Sequence, residues 1–136
     1  GKVNQAWIFD DYAHHPTEIF ATIKAAKNLK NNIVVIFQPH RYTRTQILMK
    51  EFVKVLSKIN NLIILETYSA GEKIIKGSTS RDIFLKVFKK NKNTVYLKNL
   101  NNLSKSILKF TREKNTIIFM GAGSISNIAK KFVNSE

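Results

Sequence analysis

The chain has 136 residues, 43% hydrophobic and 10% aromatic, with no cysteine and a formal net charge of +14. That length and apolar content suit one folded domain burying roughly two thirds of its unfolded surface, and exclude a disordered tail. Without cysteine there is no disulfide, thiolate metal site or Cys nucleophile; with no apolar run near the roughly 20 residues of a membrane helix and no signal-peptide core at Gly1-Lys2-Val3-Asn4-Gln5, the expectation is a cytoplasmic protein with no membrane partner.

The first apolar run, Ala6 to Phe9, predicts a strand. A helix should follow from Pro16, whose missing N–H costs nothing in a first turn, with Glu18 near the positive end of the dipole and Ile19, Ile23 and Ala26 on one face. Ile33 to Phe37 predicts a second strand. Thr43 and Gln46 stand at capping-box spacing, so a second helix is expected to begin at Arg44 and to bury Leu48, Phe52, Val55 and Ile59.

Leu62 to Leu65 predicts the third strand, and residues 66–80, ETYSAGEKIIKGSTS, form a connection long enough to be a surface excursion or lid. A short helix over Arg81 to Lys90 precedes the fourth strand, Thr94 to Leu97. A helix after Asn102, carrying Leu103, Ile107 and Phe110, leads to the fifth, Thr116 to Met120. The last helix carries Ile125, Ile128, Ala129 and Phe132. The strands are short and rich in β-branched and aromatic residues, as strands buried on both faces are. Alternation of this kind predicts an α/β fold with a mostly parallel sheet of five to six strands and helices on both faces.

Ligands of such sheets collect at the carboxyl ends of the strands, where the two most polar loops fall. In FQPHRYTRT, residues 37–45, Arg41 and Arg44 sit three apart at a strand-to-helix junction; their planar forks suit a carboxylate or phosphate, and the helix N–H groups favour the same anion. In DDYAHHPTEI, residues 10–19, Asp10 and Asp11 can hold ribose hydroxyls or a hydrated Mg²⁺, and His14 and His15 can donate to an anion or titrate near neutrality. Aspartate or histidine at a strand end equally serves to cap the next helix. MGAGSI, residues 120–125, lacks the third glycine of a dinucleotide fingerprint and reads as a tight strand-to-helix turn, and no GxxxxGK[ST] phosphate loop occurs. The lysines lie scattered over polar helix faces, so the positive charge reads as solvated surface; a basic module binding nucleic acid is the alternative.

DDYAHHPTEI, ATIKAAK, FQPHRYTRT, YSAGE and GAGSI together, in that order, resemble the carboxy-terminal domain of the Mur ligase family of peptidoglycan synthesis, in the branch that joins L-alanine to UDP-N-acetylmuramate. The resemblance runs over essentially the whole of residues 1–136. It implies a Rossmann-like domain and, in the whole enzyme, amino-terminal UDP-sugar and central ATP-binding domains that this sequence lacks. It further implies that Tyr12, His14, Arg41 and Arg44 line the L-alanine site, with the arginines on its carboxylate, and that Asp11 contacts the ribose of ATP. ATP and Mg²⁺ would serve the whole enzyme, the metal held outside this domain. No residue is assured as a general base; His14 is the first suspect. The implied reaction is amide formation through an acyl phosphate, and nucleic acid is not an expected partner.

Overall fold

β-branched and aromatic runs become strands at every predicted position. The computed structural model describes residues 1–136, as β1 (Lys2–Val3), β2 (Ala6–Asp11), α1 (Pro16–Ala26), β3 (Asn32–Phe37), α2 (Tyr42–Leu56), β4 (Asn61–Leu65), α3 (Ser80–Phe88), β5 (Thr94–Leu97), α4 (Leu103–Thr111), β6 (Asn115–Met120) and α5 (Ile125–Ser135). The six strands form one sheet in the order β1-β2-β6-β3-β4-β5, parallel except for β1, a two-residue strand antiparallel to β2 that the sequence did not announce.

Two apolar layers sandwich the sheet. On one face α1, α2 and α3 bury Ile19, Phe52, Leu56 and Ile83 against Val35, Phe37, Ile64 and Ile118. On the other α4 and α5 bury Ile107, Ile125 and Phe132 against Ile36, Ile63, Ile117 and Phe119. Alternate residues of β3 and β6 feed opposite layers, which is why both strands read as unbroken apolar runs. The outer strands depart from that expectation. β2 leaves Trp7 and Phe9 exposed at 49% and 43%, and β5 leaves Val95 exposed at 44%, because near the sheet margins the helices cover one face only.

The second helix also differs from its expected form. It begins at Tyr42, two residues early, with Arg41 as N-cap residue and no side-chain cap of its own. Its buried stripe is Tyr42, Thr45, Phe52, Val53 and Leu56, while Ile59 is buried beyond the helix end. Leu48 lies at a kink (φ −112°, ψ 18°), just past Thr45, whose hydroxyl bonds back to the Arg41 carbonyl at 3.4 Å, the contact that bends helices. β3 and β6 are neighbours, yet α2 and α5 leave them for opposite faces, so a crevice opens at their carboxyl ends.

Candidate substrate site

The β2–α1 loop is built around its own backbone. Asp11 Oδ1 accepts from Ala13 N at 2.8 Å and Oδ2 from the Thr22 hydroxyl at 3.2 Å, fastening the loop to α1. His15 is the α1 N-cap: its Nδ1 accepts from Thr17 N at 3.1 Å, and Glu18 Oε1 accepts from His15 N at 3.0 Å, with Pro16 in the first turn. The His15 N–H, first, holds the Glu18 carboxyl below its ordinary range, aided by the His14 N–H and the charges of both histidines. His15 is thereby a cap. His14 points the other way: its Nδ1 lies 2.9 Å from the Tyr12 carbonyl, which can only accept, so Nδ1 carries the proton and Nε2 remains for a ligand. Tyr12 is 71% exposed and meets the His14 ring edge-on at 5.5 Å.

The β3–α2 loop carries the arginines. Arg44 Nη1 donates to the His40 carbonyl at 3.1 Å and lies 3.0 Å from His40 Nδ1, and the His40 ring stacks on Tyr68 at 5.4 Å and 15°. Burial, first, and then Arg44, Arg41 and His14 push the His40 imidazole below its ordinary value. Arg41 has a backbone φ of +70°. Its guanidinium makes no hydrogen bond or ion pair with the protein; the one ion pair within 4.0 Å in the chain is His14 with Glu18. The N–H groups of α2 were expected to share in anion binding. They are instead taken by Glu72, whose Oε1 accepts from Tyr42 N at 2.7 Å and Thr43 N at 3.1 Å while Oε2 accepts from the Thr43 hydroxyl at 2.6 Å. The Thr43–Gln46 box does not form, since Thr43 is spent on Glu72.

The long connection after β4 is therefore pinned to this edge. Tyr68 N donates to the Pro39 carbonyl at 2.8 Å and Arg41 N to the Tyr68 carbonyl at 2.9 Å, a parallel bridge extending β3 and β4 beyond the sheet. The GAGS turn closes on it from the other side. A Cβ on Gly123 would stand 2.5 Å from Tyr68 Cγ, and one on Gly121 would stand 2.8 Å from the Gln38 carbonyl oxygen. Buried Gln38 reaches across with Nε2 to Ser124 Oγ at 3.0 Å and Oε1 from Ile125 N at 3.2 Å, capping α5. The glycines serve close packing, as their incomplete fingerprint suggested.

Tyr12, His14, His15, His40, Arg41, Thr43, Arg44, Ile47, Leu48 and Ala122 line one open groove of about 660 Å³. Four predicted residues, Tyr12, His14, Arg41 and Arg44, thus meet. Asp11 stands behind them at the end of β2, both oxygens engaged, and Asp10 bonds the Ser126 hydroxyl on the far side of the loop. Three oxygens of the two carboxylates are thus engaged within the protein, and no three His, Asp or Glu side chains converge here. His40, Tyr68 and Glu72 were missed as site residues. His40 and Glu72 lie inside the quoted FQPHRYTRT and YSAGE segments, but only the fold brings the second to the first.

The switch-point crevice of this mostly parallel α/β sheet thus presents two arginines, three imidazoles and a phenol, side chains whose chemistry suits an anion. The Mur ligase, glutamate ligase domain family model matches residues 1–123. UDP-N-acetylmuramate–L-alanine ligase of Carboxydothermus hydrogenoformans is 40% identical over 134 residues, covering 98% of this chain and 29% of that protein. The crystal structure of UDP-N-acetylmuramate-alanine ligase from Thermotoga maritima superposes with a TM-score of 0.75 at 28% identity, over 97% of this chain and 27% of that one. A single ligase domain from Haemophilus ducreyi shares the fold with a TM-score of 0.69 at 23% identity, over 99% of this chain and 94% of that one. The chain belongs to the Mur ligase family and is its carboxy-terminal domain. It spans under a third of the length of the curated relatives it matches.

Proposed function

We propose that this domain holds L-alanine in a cytoplasmic, ATP-dependent ligase that joins it to UDP-N-acetylmuramate, the UDP-sugar and ATP being bound chiefly by amino-terminal and central domains. The observation that carries the reading is the pair Arg41 and Arg44, free of any carboxylate partner, beside Tyr12 and His14 in one groove. Their forks receive the amino-acid carboxylate. Tyr12 and the Nε2 of His14 then face the amine end, and Asp11 keeps a lone pair for the ATP ribose. ATP supplies the activation of the muramate carboxyl as an acyl phosphate; the domain's own part is to present the amine at attacking distance, an orientation effect worth several kcal/mol of barrier. The Nε2 of His14, turned to no protein partner, is placed to take the proton that the amine releases.

The test is steady-state kinetics of the intact ligase. Arg41→Ala and Arg44→Ala should raise the KM for L-alanine at least about tenfold, the size of a lost charge-assisted contact, and leave the KM for ATP within about twofold. Unchanged alanine kinetics in both variants refute the assignment.

A further inference from the structure

We propose that Glu72 and Tyr68 are positioning residues for Arg41: the segment after β4 holds the Arg41 backbone in the positive-φ conformation from which its guanidinium enters the groove. The inference rests on the reading of that groove as the amino-acid carboxylate site.

Arg41 adopts φ +70° and ψ 142°, a region that residues other than glycine rarely enter unless their surroundings impose it. The surroundings are identifiable. The Arg41 N–H is held by the Tyr68 carbonyl at 2.9 Å, and the next N–H, that of Tyr42, by Glu72 Oε1 at 2.7 Å. Both peptide groups flanking the strained residue are thus clamped from one segment, some thirty residues further along the chain. The clamp is itself braced: Tyr68 N bonds the Pro39 carbonyl, and the Tyr68 ring is caught between Gly123 and the His40 imidazole.

The division of labour in Glu72 makes this a device for the arginine and more than a helix cap. A carboxylate near enough to feel the Arg41 charge would ordinarily pair with it. Here both oxygens are committed to Tyr42 and Thr43, and neither arginine lies within 4.0 Å of an acidic oxygen. The Thr43 hydroxyl, first, with the two backbone N–H groups and Arg41, holds the Glu72 carboxyl below its ordinary range, so it stays ionised as a backbone clamp. The guanidinium is left unpaired, with its backbone fixed.

A double-variant cycle in the intact ligase tests the idea, using Arg41→Ala, Glu72→Ala and the pair together, with Glu72→Gln as a milder change that keeps one acceptor for Tyr42 N–H. Glu72→Ala should raise the KM for L-alanine about tenfold with the KM for ATP within about twofold, Glu72→Gln should fall between it and wild type, and the double variant should be no worse than Arg41→Ala alone, because residues acting as a unit are not additive. Effects that multiply in the double variant, or an alanine KM unmoved by Glu72→Gln and Glu72→Ala alike, overturn the positioning role. If Glu72→Ala does not fold, the Gln variant and its combination with Arg41→Ala carry the same comparison. Should Arg41→Ala itself leave alanine kinetics unchanged, the reading of the groove fails first, and the positioning role fails with it.

Discussion

Arg44 Nη1 sits 3.0 Å from His40 Nδ1 and 3.1 Å from the carbonyl oxygen of the same residue. A guanidinium has donors only, so Nδ1 must offer a lone pair, and His40 is neutral with its proton on Nε2. The fold enforces this state, since burial and three neighbouring basic side chains depress the imidazole.

Acid sensitivity follows with a definite sign. The folded pKa of His40 lies below the unfolded value of about 6.5, so its contribution to stability is complete above that value and is lost as the pH falls through the folded pKa. Protonation also ends the lone-pair contact with Arg44. The melting temperature should fall below pH about 6.5, and His40→Gln should flatten that part of the profile, with ring NMR shifts of His40 reporting the transition. An unaltered acid limb in the variant would show that His40 is not the group responsible.

Replacing each arginine by lysine separates charge from geometry. Lysine keeps the positive charge but offers no planar fork, and at position 44 it also loses the donor geometry that locks onto His40. Arg41→Lys and Arg44→Lys should each cost about 1.5 to 3 kcal/mol in kcat/KM for L-alanine, roughly ten- to hundredfold. Wild-type kinetics in either lysine variant would mean that bulk charge suffices at that position.

Much of this fold is legible in the sequence, because its period is set by burial. The two-sided strands β3, β4 and β6 and the stripes of α1, α4 and α5 follow from residue type alone. The start of α2 does not. Thr43 and Gln46 satisfy a local capping rule, yet Glu72 reaches the same N–H groups from a distant segment, and a contact between residues 42 and 72 leaves no periodic trace. The site divides in the same way. Arg41, Arg44, Tyr12 and His14 stand out as chemistry at strand ends, whereas Tyr68 and Glu72 act through backbone contacts that any carbonyl or carboxylate can make.

The glycines of the last turn, Gly121 and Gly123, should prove less tolerant of a side chain than Gly71 of the 66–80 connection. Gly123→Ala drives a Cβ to 2.5 Å from Tyr68 Cγ, and Tyr68 is tied by backbone bonds to Pro39 and Arg41, so the ring has little room to yield. Overpacking of this kind costs about 1–3 kcal/mol, measurable by denaturant unfolding, and the displaced ring should also raise the KM for L-alanine. Gly121→Ala meets the Gln38 backbone oxygen at 2.8 Å and should destabilise comparably. Gly71→Ala, with nothing within 4 Å of its Cβ, should lose only what its φ of +87° costs, about 1 kcal/mol. Equal melts for all three would show that the turn is looser than its contacts imply.

The 136-residue chain should fold by itself and catalyse nothing. Folding needs only the two apolar layers, and both are closed within the chain, with 17 buried residues on one side of the sheet and 14 on the other. Turnover needs a phosphate cradle and oxygen ligands for Mg²⁺, and the sequence offers no GxxxxGK[ST] loop while Asp10 and Asp11 are committed to Ser126, Ala13 and Thr22. ATP should bind weakly, through Asp11 and the diffuse positive charge, and should be released as salt screens that charge. A cooperative thermal melt with no phosphate release from ATP, Mg²⁺, UDP-N-acetylmuramate and L-alanine is the expected pair of results. Phosphate release at the rate of an intact ligase would put the catalytic centre within these 136 residues, and a melt without cooperativity would show that the two layers do not suffice to hold the sheet.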